Sequence, residues 1–491
     1  MRKANNVFYA YVWFFRSMTP SPSRLRPMRV PLLLALAVLL SGCASLSPQA
    51  TALPQTQVPA AWSGSATTLA AATSLAQWWQ RFNDPLLGSL VTQALQANTT
   101  VRSAQAALQQ ARALRDVSSA NLVPKLSAAG SAQRSKSGDN EAGNLFKAGF
   151  DASWEPDVFG GRRSALNATE ADAQAAQASL ADTQVSIAAE VAVTYIELRG
   201  LQARLAIARN NLASQSETQQ ITDWRVQAGL ASSLDLEQAR AASAQTSAQI
   251  PTLETSATQA QYSLAVLTGQ APGALQALLT ATGPLPQAPG ELALSLPAET
   301  LRQRPDVRAA EHRISAALAR VSQADAARYP GFQISGSLGL SALSLASLTT
   351  AGTVVNALLA SVSVPLFDGG AARAQVRAQE AALEQTRMSY QATVLTALKD
   401  VENALVSLQG NRERLARLQT AADAAANADL LARQRYASGL IDFRAVLETQ
   451  RTLLSTQDSV ESTRASLSAD HVRLYKALGG GWTPEPGTAT R

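Results

Sequence analysis

The chain holds few residues whose type and spacing could do chemistry. Cys43 is its one cysteine, and its two histidines, His312 and His471, lie far apart in Arg-containing helical stretches. There is no HExxH, no GxSxG, no glycine–lysine phosphate loop and no dinucleotide fingerprint. An enzyme is therefore not expected, nor any cofactor or metal. The histidines read as surface side chains, exposed or hydrogen-bonded. Cys43 stands out because of its place. It follows an apolar run, Val30–Leu40, opened by Arg29, and completes LSGC at Leu40–Cys43. The run is too short to span a bilayer and suits the hydrophobic part of a secretory leader.

LSGC resembles the lipobox of bacterial lipoproteins, in which the cysteine becomes the acylated first residue of the mature chain. Residues 1–42 are then a signal peptide, with Met28 as an alternative start, and Ala44 after the cysteine implies the outer membrane. A covalent lipid on Cys43 would leave no free thiol, in keeping with an oxidising periplasm. The leader also explains the charge. The formal +6 comes from 42 basic and 36 acidic residues. Arg2, Lys3, Arg16, Arg24, Arg26 and Arg29 all fall in residues 1–42, which hold no acid, so the remainder is formally neutral. Nucleic acid is not an expected partner.

The elements that must carry any function are long. The 491 residues are rich in Ala, Gln, Ser and Leu, with 16% charged and 5% aromatic residues. That composition fits long packed helices rather than a compact α/β core. Residues 43–75 read as a Pro/Ser/Thr-rich tether. A first repeat spans 76–270. It has the anchor Trp78, Trp79 and Phe82, a helix opened by Asp84–Pro85, a break at Asn98, a β-hairpin over 124–156 and long helices over 161–267. Positions 180, 184, 187, 191, 194, 198, 201, 205, 208 and 212 follow heptad spacing, mostly apolar, which predicts a supercoiled helix on the order of 100 Å long. A linker covers 271–297. The second repeat, 298–479, has a helix over 305–329, a hairpin over 331–367 and long helices over 370–478. Its heptad seam runs from Leu383 to Leu418, and Leu395, Leu398 and Leu405 add a second seam that calls for neighbours on both sides. Residues 480–491 read as a disordered tail.

The strands set the assembly problem. Phe146, Ala148, Phe150, Ala152 and Trp154 alternate with Lys147, Gly149, Asp151, Ser153 and Glu155, the pattern of a half-buried sheet or of a barrel strand in a membrane. Strand three is expected at Phe332–Leu340 and strand four near Leu358–Leu366. Four strands cannot close a barrel, and open edges in lipid leave backbone groups unsatisfied. Two copies would give eight strands and three would give twelve; both satisfy the minimum of about eight.

Taken together, LSGC, WWQRFNDPLL (Trp78–Leu87), WEPDVFGGRR (Trp154–Arg163), RPDVRAAEHR (Arg304–Arg313), PLFDGG (Pro365–Gly370) and the helix breaks at Gly229 and Gly439 resemble TolC-type outer-membrane efflux proteins, in the OprM/NodT-like lipoprotein branch. The resemblance covers nearly the whole mature chain. It implies a mainly α fold with a membrane β part and two tandem repeats. It also implies a homotrimer with a 12-stranded β-barrel, four strands per chain, continuous with a long periplasmic α-helical barrel. The implied role is the exit duct of a tripartite efflux pump, anchored in outer-membrane lipid and docked through a periplasmic adaptor to an inner-membrane transporter, most simply of the RND type. A channel for type I protein secretion and a non-pore coiled-coil lipoprotein are the alternatives. The resemblance further implies a periplasmic tip at the helix breaks, gated by Asp235, Arg435, Tyr436 and Glu448. Arg444 stands where OprM-like members carry an apolar constriction residue, and Ile441 where TolC itself carries a basic one. Pairing of Arg444 with Glu448 inside one helix would alter the closure. Gly160, Gly161, Gly369 and Gly370 are expected to hinge strand into helix.

Overall fold

The computed structural model describes residues 58–62, 75–139, 141–288, 297–350 and 352–482. The signal peptide and Cys43 lie outside the described residues. The elements run in chain order as α1 (Pro85–Ala97), α2 (Thr99–Ala120), β1 (Lys125–Ser135), β2 (Gly143–Trp154), α3 (Gly161–Gln227), α4 (Ser233–Leu267), the short α5 (Gln276–Leu279), α6 (Pro297–Gln303), α7 (Pro305–Ala326), β3 (Gly331–Ala342), β4 (Val354–Ser363), α8 (Ala371–Ala437) and α9 (Phe443–Ala477). The repeat is visible in length as well as order. Helices α2 and α7 have 22 residues each, α3 and α8 have 67, and α4 and α9 have 35.

The described parts fall into two compact units. One comprises Arg112–Ala171 with Ile314–Arg387 and contains the four-stranded antiparallel sheet, in the order β1-β2-β3-β4. Its register pairs Phe150 with Ala128 and Leu338, and Gly149 with Gly339. The last pair needs glycine: a Cβ on Gly149 would lie 2.7 Å from the Gly339 Cα, closer than side chains come to backbone. Strand four begins four residues earlier than its alternation suggests and stops at Ser363, before Pro365, which has no N–H to give a ladder.

The other unit is helical, and its described residues are 58–62, 75–111, 172–288, 297–313 and 388–482. Its core gathers Trp78, Phe82, Leu87 and Leu90 with Ile187, Val191, Tyr195, Ile196 and Leu198 of α3, Leu264 of α4 and Tyr475 of α9. Trp78 stacks on Tyr475 at 5.5 Å between ring centroids, so the aromatic anchor is buried as expected. The heptad seam of α3 faces this core at Ile187, Val191, Leu198, Leu201 and Ala208, and the α8 seam is buried at Leu383, Tyr390, Val394, Ala397, Val401, Ala404 and Leu408. Close approach of α3 and α9 is set by small residues; a Cβ on Gly200 would meet the Ala465 Cβ at 2.8 Å.

Two polar ties close the repeats in the same way. Asn98, ahead of α2, donates through Nδ2 to the Leu267 carbonyl at the end of α4 (2.9 Å) and caps α2 by accepting from Thr100 N (2.8 Å). Arg304, ahead of α7, donates through Nη1 to the Ala477 carbonyl at the end of α9 (2.9 Å) and grips Asp306 with two nitrogens (3.0 and 2.7 Å). Thus the Arg of RPDVRAAEHR is a buried clamp.

Several boundaries differ from the sequence expectation. The stretch 271–288, read as linker, is held down: Gln202 Nε2 donates to the Leu279 carbonyl (2.8 Å), and Arg199 Nη1 to that of Ala281 (2.6 Å). Arg199 also donates to the Tyr195 hydroxyl (3.0 Å), which donates to Asp84 (2.9 Å). Burial pushes this phenol up to about 12. Residues 480–482, read as tail, are packed. Gly481 N donates to the Leu75 carbonyl (2.9 Å), and Trp482 lies under the Arg308 guanidinium, 5.2 Å from ring centroid to Cζ. Trp62, within the expected tether, is buried, and so is His471, whose Nδ1 lies 2.8 Å from the Leu467 carbonyl of its own helix.

The clamp gives a direct test. Arg304→Ala strands the Asp306 carboxylate and a helix-end carbonyl in a buried site, and is expected to cost about 3 kcal/mol. A thermal-unfolding shift in detergent measures it; an unchanged midpoint would contradict the assignment.

Candidate functional site

Three places combine unusual chemistry with definite geometry: the faces of the sheet, the strand-to-helix joints and the helix reversals.

The period-two pattern sorts the sheet into two unlike faces. One carries Leu126, Phe146, Phe150, Trp154, Ile334, Leu338, Leu340, Val354, Leu358 and Val362, which the register places side by side. Those side chains are not covered: Leu126 is 72% exposed, Phe150 56%, Leu338 56% and Leu358 83%. The other face carries Ser127, Ser131, Gln133, Lys147, Asp151, Ser153, Gln333, Ser335, Ser337, Ser341, Ser361 and Ser363, with Leu145, Val355 and Leu359 as its large apolar members. An apolar face left in water would be a large aggregation-prone patch, so it requires lipid or protein cover. Among the described residues β1 and β4 are both edges, each with a free row of backbone donors and acceptors. No helix among the described residues is long and apolar enough to cross a membrane.

At the first joint, Gly160 has φ +77°, and at the second Gly369 and Gly370 have φ +66° and +88°. These left-handed conformations favour glycine. Gly161 is held for another reason: a Cβ there would meet the Ala326 Cβ at 3.2 Å. Sequence reading missed the acidic cap beside each. Asp157 accepts from Arg162 N (3.0 Å) and Arg163 N (2.8 Å), while Asp368 accepts from Gly370 N (2.8 Å) and Ala372 N (2.7 Å). An Asp just ahead of each long helix was the available signal. Hydrogen bonds from Ala372 and Gly370 hold the Asp368 carboxyl below the usual carboxylate range. The first joint also stacks Phe159 with Tyr329 (4.9 Å) and Phe332 (6.3 Å), and ties Arg162 to the Asn121 carbonyl (3.0 Å) and to Glu155.

The helix reversals repeat one turn. Leu230 N donates to the Arg225 carbonyl (2.7 Å), and Leu440 N to that of Arg435 (2.9 Å), with Gly229 at φ +74° and Gly439 at +73°. Both are Schellman turns that satisfy helix-end carbonyls. The residues expected to form the gate do not all meet within the chain. Asp235 is taken up by a capping box at the start of α4, accepting from Ser232 N (3.1 Å) and Ser232 Oγ (2.8 Å). Glu448 faces Arg451 at 3.9 Å rather than Arg444, and Arg444 is exposed, so the expected pair inside that helix is not formed. Tyr436 packs its ring on Phe443, 5.4 Å between centroids, and under Arg225, 4.5 Å from centroid to Cζ. Arg225 and Phe443 were both absent from the expected set. Arg435 is exposed at the end of α8.

Comparison with known proteins agrees with this geometry. The family model for "outer membrane efflux protein" matches residues 90–270 and 296–480, the two repeats. A pyoverdine export outer membrane protein of Pseudomonas aeruginosa, OpmQ, is 33% identical over 92% of this chain and 96% of its own length. Nodulation protein T of Rhizobium leguminosarum is 30% identical over 91% and 92%. The solved outer-membrane channel OprN superposes with a TM-score of 0.81 at 34% identity, covering 88% of this chain and 100% of the other.

Two outcomes follow for the joints. Replacing Gly160 and Gly161, or Gly369 and Gly370, with Val should block assembly, seen as loss of heat-resistant oligomers on gels; full assembly would contradict the hinge role. For Asp368, the depressed carboxyl makes the unfolded chain the better proton binder in acid. Its stabilisation is therefore present above the ordinary carboxylate range and is lost as pH falls through the folded value. The gap in thermal midpoint between Asp368→Asn and the parent should close in acid, and a gap that persists there would refute the cap.

Proposed function

The chain belongs to the outer membrane efflux protein family, and we propose on that premise that three copies form one outer-membrane exit duct. The observation that carries the reading is the unfinished sheet: an exposed apolar face, a polar opposite face and two unpaired edges. In hydrocarbon each open edge would leave a row of backbone groups unsatisfied, at several kcal/mol each. Pairing β4 of one copy with β1 of the next removes every edge at once. Three copies give a barrel of about twelve strands, within the range of outer-membrane barrels. The apolar face then meets lipid, and the Ser-rich face lines the lumen.

The helical unit supports the same assembly. Leu395 and Val406 on α8 are 51% and 67% exposed, whereas Leu398 of the expected second seam is buried within the chain, as is the first seam from Leu383 to Leu408. Neighbouring helices from other copies would cover Leu395 and Val406. The lumen face offers small hydroxyls and few charges, with no dedicated cluster for one ligand. Such a duct is passive and permissive, and selection falls to the transporter that feeds it. A periplasmic adaptor and an inner-membrane transporter of the RND type are the proposed partners. Acylation of Cys43 would anchor each copy to the outer membrane, and the helix reversals would form the gated periplasmic tip.

Purified protein in planar bilayers should give discrete conductance steps and migrate as a trimer before heating. Deletion of the gene should raise susceptibility to at least one class among detergents, dyes, antibiotics and metal ions. A monomer that conducts nothing would contradict the duct.

A further inference from the structure

We infer that Arg225 is the residue that positions Tyr436 in the closed tip, by lying over the face of its ring rather than by bonding its hydroxyl. The inference rests on the exit-duct reading, because it assigns the contact that holds that duct shut. The geometry begins with a broken symmetry. Arg225 and Arg435 occupy the same place ahead of equivalent glycines, but Tyr436 and Phe443 have Val226 and Ser233 as counterparts. The second repeat therefore contributes an aromatic pair, and the first contributes a cation to cover it.

Each partner is held before it meets the others. The Arg225 carbonyl accepts the Schellman bond from Leu230 N at 2.7 Å, which fixes the backbone from which its side chain leaves α3. Phe443 is 3% exposed and opens α9, whose first turn is capped by Asp442 through Ala445 N (3.1 Å). Tyr436 lies between them, its ring centroid 5.4 Å from that of Phe443 and 4.5 Å from the Arg225 Cζ. One stack thus joins the ends of α3 and α8 to the start of α9. Among the described residues, Arg225 has no carboxylate partner and the Tyr436 hydroxyl has no hydrogen bond. The guanidinium is therefore free to serve the ring face, an arrangement Arg suits better than Lys because it is planar and weakly hydrated.

The surroundings let this contact decide the position of the α8 end. The packing of these helix ends is partly polar: Thr222, Asp429 and Gln450 are buried as well as Leu236, Ala432 and Val446, and Gln450 Nε2 donates to Thr218 Oγ1 at 3.0 Å. Gln450 Oε1, Asp429 Oδ1 and Arg433 Nε have no partner. A core of this kind gains less from staying shut than an apolar one, so a modest contact at its edge has leverage on the equilibrium. Loss of a partly exposed cation–π contact shifts the open-to-closed ratio about three-fold per copy, or about thirty-fold if three copies open together.

The test uses the full-length trimer in planar bilayers with four single variants. Arg225→Gln and Tyr436→Leu should raise open probability toward that thirty-fold limit. Tyr436→Phe, which keeps the ring, should behave as the parent, and Arg225→Lys, which keeps the charge, should fall between. Hydrogen exchange over 221–230 and 434–443 should quicken in the first two variants and stay near the parent in Tyr436→Phe. Opening by Tyr436→Phe equal to that by Tyr436→Leu would overturn the inference in favour of a hydroxyl lock, and an unchanged Arg225→Gln would overturn it outright. A parent protein that never conducts would count against the duct alone, since the exchange data still decide the contact.

Discussion

Unpaired backbone in hydrocarbon is the constraint on which the rest of this molecule depends. Every N–H and C=O inside a bilayer core needs a partner from protein, and a four-stranded sheet has two edges that cannot supply one. The solution lies outside the single chain. Once β1 and β4 must be completed by copies, each chain must also present helices that pack with those of its neighbours. The exposed Leu395 and Val406 on α8 meet that demand. The doubling of the repeat serves the same end, since each copy of the unit contributes one hairpin and one pair of long helices.

The repeats are alike where geometry is obligatory and differ where function is local. Both end their long helices in Schellman turns at Gly229 and Gly439, and both close with a side chain reaching the last helical carbonyl, Asn98 to Leu267 and Arg304 to Ala477. Those are backbone problems with few solutions. At the reversals the copies diverge, with Arg225 from one and Tyr436 with Phe443 from the other. Divergence there allows a contact between helices that a strict repeat would have filled with two like charges or two small side chains.

Much of this was legible in the residues. Asp84–Pro85 announced a helix start, and Asp84 caps it by accepting from Leu86 N and Leu87 N. The alternation from Phe146 to Trp154 and the heptads of α3 and α8 revealed their own faces, because period 2 and period 3.5 are local properties. What escaped was either masked locally or set by distant contacts. Adjacent apolar residues at Val354–Val355 hide the start of β4, and the Pro-rich look of 271–288 hides its ties to Arg199 and Gln202. Asp235 enters the expected gate only through the family resemblance, whereas its place three residues after Ser232 is the local spacing of a capping box, which it forms. Arg225 reads as an ordinary basic residue at a helix end, and nothing local says that an aromatic ring more than two hundred residues away lies under it.

The central claim is that neighbouring copies complete one another's sheet. Cysteine pairs placed along the outer edges, at Ser127, Ala129 or Ser131 of β1 with Val355, Ala357 or Leu359 of β4, test it directly in a Cys43→Ser background. β2 and β3 separate the two edges within a chain, too far for a disulfide, which needs Cα atoms within about 7 Å. The account predicts that oxidation of at least one register gives a covalent ring of three chains on denaturing gels, reversed by reductant. Absence of any inter-chain crosslink in every register, with the protein assembled and in the outer membrane, would contradict it.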